Sequence, residues 1–484
     1  MAVSHGARIA LCTTTPVIVS PQGAAGSCAL AWRGTPGDTS WYPHDLRWKD
    51  RDLFTPQQLF GELGTSSDVL AHAAFLERAR REREQEREAS ARLALGAYVV
   101  ARLVSRMLTL PAADDAEARE GFLWQLEAVR RHLRELPGDA PETAHLSGIA
   151  EAVPATGKAA PGLRLTLTAY AYFLEHEGRL DEAIDTLALA GHTHGRAIAP
   201  GEFAATALFA GRLNRLLARW ATATCCYAAA ESAAQITGDL VTRLRARLGR
   251  GAVLRGQGNL PLAKAGVEEV IRDAEAHHLR EVLAIAYADL GAVCDLQGQA
   301  VETVQALYRA FLASEDPLQR MRVIGDLGIG LSKIGAFEAA RLAFEIGIDS
   351  NASFLVRTNA LLELMELEAV VGNRVSFQRR RAQVERMRDR MTPSMTCDFY
   401  FKWGTGLGRF GQLGRARDLL IAGQQLAEAH RLNAWYFRFE QTLGELESSL
   451  AHEHGPATRT TGLSESPAIQ EVALGLREYA LQAT

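Results

Sequence analysis

The sequence is short of lysine, of cysteine and of long apolar runs, and each shortage excludes something. Only five of its 53 basic residues are lysines. A GC-rich genome accounts for that bias more readily than chemistry does. Acidic residues number 57, so the formal charge is -4 and no overall field draws nucleic acid or anionic lipid. The six cysteines (12, 28, 225, 226, 294 and 397) show no C-x-x-C spacing and no paired framework, which places the chain in a reducing, cytoplasmic compartment. No stretch approaches the ~18 to 20 apolar residues of a membrane span. The one candidate export signal, Ile9 to Ser20, is broken by Pro16 and three consecutive threonines, and the stretch before Cys28 lacks the apolar run of a lipoprotein signal. Catalytic signatures are missing too: no G-x-S-x-G, H-E-x-x-H, P-loop or Cys-His pattern stands in a suitable context.

What is present is length and alanine. A chain of 484 residues exceeds the ~250 to 300 that one compact core accommodates, leaving several domains or one extended repeat array. Its 80 alanines favour helix over sheet. Residues 1–66 stand apart, rich in Gly, Pro, Ser and Thr and without helical period, so they read as disordered or loosely attached. Within them, Trp41 to Trp48 (WYPHDLRW) has the make-up of a docking peptide or strap, or of a non-native leader. Residues 67–160 read as N-terminal helices forming a divergent capping repeat. The first opens at Ser67 or Asp68, runs through the charged stretch Glu77 to Glu88 as a solvated face, and continues to about Leu108. Two more are expected at about 117–136 and 141–153.

Residues 161–432 repeat. From Leu167, a small residue follows at four (Ala171), a glycine at eleven (Gly178), an alanine at sixteen (Ala183) and a large residue at twenty (Leu187). The template returns from Ala207, Arg247, Tyr287, Ile324, Leu361 and Tyr400, at intervals of 37 to 40 residues. The fourth column reads Ala171, Gly211, Gly251, Gly291, Gly328, Met365 and Gly404. The eleventh reads Gly178, Ala218, Gly258, Gly298, Gly335, Gly372 and Gly411. The small residue lets a second helix approach, the glycine ends the first helix at positive φ, and the alanine lets the second pack back antiparallel. Such a hairpin cannot bury its own apolar face, so stacking is obligatory. The Leu361 unit departs from the pattern, with Met365, Phe377 and Arg381 where small or apolar residues belong. Residues 433–484 read as one more first helix, a linker around Pro456 to Pro467 and a short helix capping the open end.

The columns resemble the tetratricopeptide repeat, most closely at Tyr287, Leu290, Gly291, Gly298, Leu307 and Ala310, in the longer form found in bacterial signalling proteins. The resemblance implies an all-α, right-handed superhelical solenoid whose first helices line a concave groove. It implies a non-catalytic scaffold or adaptor that binds a protein or peptide there. The alternative is a peptide- or ligand-sensing arm of a transcription or signalling complex.

Projecting the groove-facing positions of the first helices gives Arg212, Arg215, Arg245, Arg255, Arg322 and Lys333 along the middle repeats, interrupted mainly by Asp295, with Glu175, Glu366 and Asp398 nearer the ends. Such a basic stripe suits an acidic peptide, a carboxylate terminus or a phosphorylated partner, because guanidinium forks bind those groups bidentately. The competing reading is that these are solvated or ion-paired arginines. Arg374 to Arg390 is a second basic run, but no recognition module accompanies it, which argues against nucleic acid. Gly406 to Gly411 spells G-x-G-x-x-G inside a helix, not after a strand, so it is no dinucleotide site. His192 and His194 lack further ligands at a recognised spacing and read as a flexible polar loop. Acidic pairs such as Asp181 and Glu182 read as helix-start residues that favour the dipole. No cofactor or metal is expected. The oligomeric state is open.

Overall fold

The computed structural model describes residues 54–61, 71–109, 116–154, 161–194, 197–349, 354–430, 432–451 and 466–483. Ser67, Asp68 and the Trp41 to Trp48 stretch lie outside them. Among the described residues the structure is all-α apart from one isolated antiparallel bridge, Phe54 to Ile198. Contacts divide the described residues into two compact units, one ending at Gly249 and the other starting at Arg250, so the seven expected repeats are shared between two bodies.

The first unit contains α1 (Pro56–Phe60), α2 (Ala73–Glu84), α3 (Glu88–Leu108), α4 (Ala116–Leu133), α5 (Pro141–Ala152), α6 (Pro161–His176), α7 (Leu180–His192), α8 (Pro200–Leu216), α9 (Trp220–Thr237) and the start of α10 (Leu240–Gly256). The long helix expected up to Leu108 is in fact a hairpin. Glu86 turns into the left-handed region at φ 57°, and Arg87 folds back, its N–H on the Glu82 carbonyl and its Nε 2.6 Å from the Glu82 carboxylate. The charged run is not wholly solvated either, since Arg78 is only 6% exposed. α4 and α5 fall where the apolar spacing placed them, with Phe122, Leu126 and Leu133 buried. Residues 54–61, counted with the leader in the sequence, pack on the repeats: the Phe54 and Phe203 rings lie 4.6 Å apart, and Phe60 covers Gly191 on α7.

The second unit contains the end of α10, α11 (Leu260–Ala276), α12 (Arg280–Leu296), α13 (Ala300–Ala313), α14 (Pro317–Lys333), α15 (Phe337–Asp349), α16 (Phe354–Val370), α17 (Arg374–Glu385), a 3-10 turn (Arg388–Arg390), α18 (Pro393–Arg409), α19 (Leu413–Ala429), α20 (Asn433–Ala451) and α21 (Pro467–Ala483). Proline opens two of these helices behind a capping side chain. Asp316 accepts from the Leu318 and Gln319 amides at α14, and the Thr392 hydroxyl accepts from Met395 at α18.

Every repeat turns in the same way. The six glycines of the eleventh column have φ between 73° and 83°, and Ala218, which replaces a glycine in the second repeat, adopts φ 55°. One residue further on, the backbone N–H reaches back to the carbonyl five positions earlier, from Arg179 to Leu174 through Gln412 to Leu407, at 2.9 to 3.0 Å in all seven repeats. This is the Schellman closure, which satisfies a carbonyl the helix end leaves open. In the fourth column the missing Cβ is occupied space: at Gly291 it would stand 2.9 Å from Leu307, and at Gly328 2.5 Å from the Phe344 ring, each the twentieth-column residue of its own repeat.

Two features depart from the sequence reading. In the Leu361 repeat, Phe377 fills the alanine slot and is fully buried against Leu361, Met365 and Phe399. The large side chain there closes the core that small residues close elsewhere. α21 is seated on α13 and α15, in the middle of its unit, and not at an open end. Its buried stripe of Ile469, Val472 and Leu476 supplies the apolar face, Gly475 lies against Tyr308, and Tyr479 meets Phe311 edge-on at 4.9 Å.

Candidate binding surfaces

Successive first helices are tied by ion pairs whose sequence separation nearly equals the repeat period. In the first unit Arg212 on α8 holds Glu175 on α6 at 2.6 Å. The Arg212 guanidinium also lies over two rings, 4.9 Å from Phe209 and 5.5 Å from Tyr172, which stack on each other at 4.1 Å. Phe209 is buried, whereas Tyr172 is 49% exposed and Leu165, seven residues earlier on α6, is 66% exposed. Seven residues are close to two helical turns, so Leu165 and Tyr172 share one face of α6. Of the other residues the sequence projected here, Arg215 lies half-buried near the end of α8 and Arg245 half-buried on α10.

Beside this face the same unit holds a buried ionic network. Arg78 on α2 and Arg179 at the α6–α7 turn both grip Glu142 on α5, at 2.8 and 2.9 Å, and the Tyr170 hydroxyl donates to the same carboxylate at 2.6 Å. The Arg78 Nε stands 3.1 Å from Glu182, which is 4% exposed. Burial pulls the Glu142 carboxyl upward, but Arg78 and Arg179 together hold it below the ordinary carboxylate range. Glu182 has less compensation: burial pushes it up to about 7 despite both arginines. Burial, reinforced by Glu142, lifts Tyr170 well above its usual value. A cleft of about 280 Å³ opens next to the network, lined by Arg78, Ser90, Leu93, Pro141, Phe173 and Arg179 among others. Sequence reasoning missed this network, taking Arg78 as solvated and Glu182 as a helix-start acid. The partners are 64 and 37 residues from Glu142, and no local spacing signals them.

In the second unit the projected cations are interleaved with acids. Arg255 meets Asp289 at 2.8 Å, and Lys333 meets Asp295 at 2.7 Å. Arg322 is exposed and, with Lys333, acts on Asp326 one turn along α14. Burial nevertheless raises Asp326 to about 7, and the neighbouring Glu363 and Asp295 add to the rise. On α18 Lys402, only 3% exposed, is held by Glu363, by Asp398 at 3.1 Å and by Glu366 at 3.7 Å. Burial disfavours its charge, yet the three carboxylates prevail and its pKa rises. Glu363 is pushed up to about 7, chiefly by burial, with Lys402 opposing. Burial beside Asp398 pushes the Cys397 thiol up to about 12, which leaves it protonated and unreactive.

The other motifs resolve into structure. Gly406 accommodates Phe377, Gly408 stands near Ala416, and Gly411 makes the helix-ending turn, so the G-x-G-x-x-G string is fully occupied by packing. His194 is held near Glu202 at 3.3 Å and Arg164 at 3.4 Å. Among the described residues, no three His, Cys, Asp or Glu side chains are grouped to hold a metal, and no helix is long and apolar enough to cross a membrane.

These features define a protein built of tetratricopeptide-like helical hairpins. No protein-family model and no curated protein matches the sequence. Among solved structures the chain is similar to the apo form of RapI, at 12% identity and a TM-score of 0.40, covering 55% of this chain and 97% of that one. It is also similar to a Rap protein complexed with competence and sporulation factor, at 12% identity and a TM-score of 0.38, covering 74% of this chain and 98% of that one.

Proposed function

We propose that the chain is a non-catalytic interaction scaffold, a cytoplasmic bacterial protein that takes a peptide or protein segment on the surface lined by its first helices. The observation that carries this reading is the platform of Tyr172, Phe209 and Arg212. An exposed tyrosine is stacked on a buried phenylalanine, and an arginine lies over both rings with its own orientation set by Glu175. Tyrosine and arginine in fixed conformations are the residue types that dominate interface energetics, because they supply contact area with little ordering cost. Leu165 extends the surface with apolar area. Arg212, Arg215 and Arg245 favour a partner segment bearing a carboxylate or phosphate at this face. Adjacent Cys225 and Cys226 on α9 are not joined in a disulfide, which fits a reducing compartment.

The test is affinity capture from the source bacterium with the intact chain and with a Leu165→Ala/Tyr172→Ala variant. Both side chains are exposed, so the variant should melt with the wild type while losing the captured partner. Capture of the same partners at the same yield removes the reading.

A further inference from the structure

The second unit carries a cation that the ion pairs between successive first helices leave out. We infer that Arg438 on α20 is a receptor for a carboxylate, filled by an aspartate or glutamate side chain of a bound protein segment. The inference rests on the interaction-scaffold reading and adds a second anchoring point, with its own chemistry, to the surface lined by the first helices.

The first ground is geometric. The half-buried Arg438 guanidinium lies 4.0 Å from the centre of the Phe401 ring on α18 and 4.9 Å from the Trp435 ring on its own helix. The two rings stand 6.0 Å apart at 57° to one another, so the guanidinium occupies the angle between them. Trp435 is fixed in turn, its indole N–H donating to the Ser394 hydroxyl at 3.0 Å. Ring faces attract the charge of a guanidinium but leave the N–H groups in its plane without acceptors. Among the described residues, no carboxylate pairs with Arg438 and no acceptor takes its side-chain donors. None of its nitrogens is cut off from solvent, so a ligand reaches them directly.

The second ground is the precedent set elsewhere in the chain. Arg212 likewise lies over two rings, and there Glu175, 37 residues earlier on the preceding first helix, supplies the carboxylate. The residue at the same distance before Arg438 is Phe401, so a ring takes the place of the acid. Lys333 and Lys402 follow the Arg212 pattern, drawing Asp295 and Glu363 from 38 and 39 residues earlier. Arg438 breaks it. A guanidinium fork held in one orientation with open donors is the arrangement that binds a carboxylate bidentately, and low-polarity ring walls strengthen the bond. In each of these three pairs the acid is a side chain, which assigns Asp or Glu as the occupant and not a chain terminus.

A random heptapeptide display library, selected on the intact protein, tests this. Among the peptides that the wild type enriches, a set sharing Asp or Glu at one position should be lost on an Arg438→Gln variant and retained on the Leu165→Ala/Tyr172→Ala variant. Synthetic members of that set are then titrated against the wild type. Changing their acid to Asn or Gln should weaken binding at least about tenfold, the loss expected of a hydrogen bond between charged groups. Amidation of their C-terminus should change nothing. This second arm leaves the protein untouched, so a folding defect in Arg438→Gln cannot decide the result. Three outcomes overturn the receptor and leave the scaffold reading standing: Arg438→Gln still captures every enriched peptide, the acid of the lost peptides can be neutralised without effect, or binding depends on the terminal carboxylate alone. If the wild type enriches no peptide, the scaffold reading fails and the receptor fails with it.

Discussion

Gly406 on α18 lies so close beneath Phe377 on α17 that a methyl group on its Cα would overlap the ring. The pair explains how the divergent repeat keeps its place: a large residue in an alanine slot is matched by a hydrogen in the next first helix. Gly406→Leu should therefore destabilise the chain by ~1–3 kcal/mol through overpacking. Phe377→Ala alone should cost ~3–5 kcal/mol. In chemical denaturation, the double variant should be markedly more stable than the sum of the two single losses allows. Additive losses would separate the two residues.

Gly291→Leu introduces a side chain where Leu307 already stands, and should also cost ~1–3 kcal/mol. Gly266→Ala, on the second helix of the preceding repeat with open space around it, should be neutral or slightly stabilising. Equal melting of all three proteins would break the repeat register.

Ala218 is strained at φ 55°, in the position that six repeats give to glycine. Ala218→Gly should raise stability by up to ~1 kcal/mol, since the left-handed conformation costs an L-residue roughly 1–2 kcal/mol. Gly258→Ala should lower it by a similar amount. Thermal melts of the two variants should move in opposite directions.

Read from sequence, Arg215 and Arg255 look equivalent, two groove cations whose reversal leaves stability intact. The ion pair of Arg255 with Asp289, both side chains largely covered, separates them. Arg255→Glu places two carboxylates together and should lower the melting temperature, whereas Arg215→Glu should melt close to wild type. Equal melting of both variants would assign the Arg255 pair no structural weight.

Glu182 titrates at about 7 when folded and near 4.5 when unfolded. Between those values the folded chain keeps a proton that the unfolded chain has lost, so this group makes stability fall as pH rises from about 4.5 to 7, with no further change above. Glu142, held below its ordinary value, acts the other way, and its contribution disappears as pH falls through its folded pKa. Glu182→Gln mimics the protonated form. Its stability relative to wild type should rise between pH 5 and pH 8 in parallel denaturant titrations, and a constant difference would contradict the shift.

The repeats were legible because their requirements are local. Gly298 and Gly335 end helices, Gly291 and Gly328 admit Leu307 and Phe344, and each pair sits within one hairpin of sequence. The candidate sites were only half legible. Projection placed Arg212 on a first-helix face for its charge, whereas the exposed ring of Tyr172 became visible as a platform only once stacked on Phe209. The projection in the second unit took in Asp295 but not Asp289, Asp326 and Glu363, each two residues past the first position of its repeat, where the projected face was not drawn. The Glu142 network gave no signal at all, because its arginines come from two separate helical hairpins.

The position of α21 bears on how the protein is made. Its seat on α13 and α15 is synthesised first, and more than a hundred residues separate the end of α15 from the start of α21. At ~5–20 residues per second, that apolar seat waits on the order of 6 to 24 s at the ribosome before its cover is translated. A ribosome that stalls or terminates in that interval releases the rest of the unit with Tyr308 and Phe311 stripped of the helix that shields them.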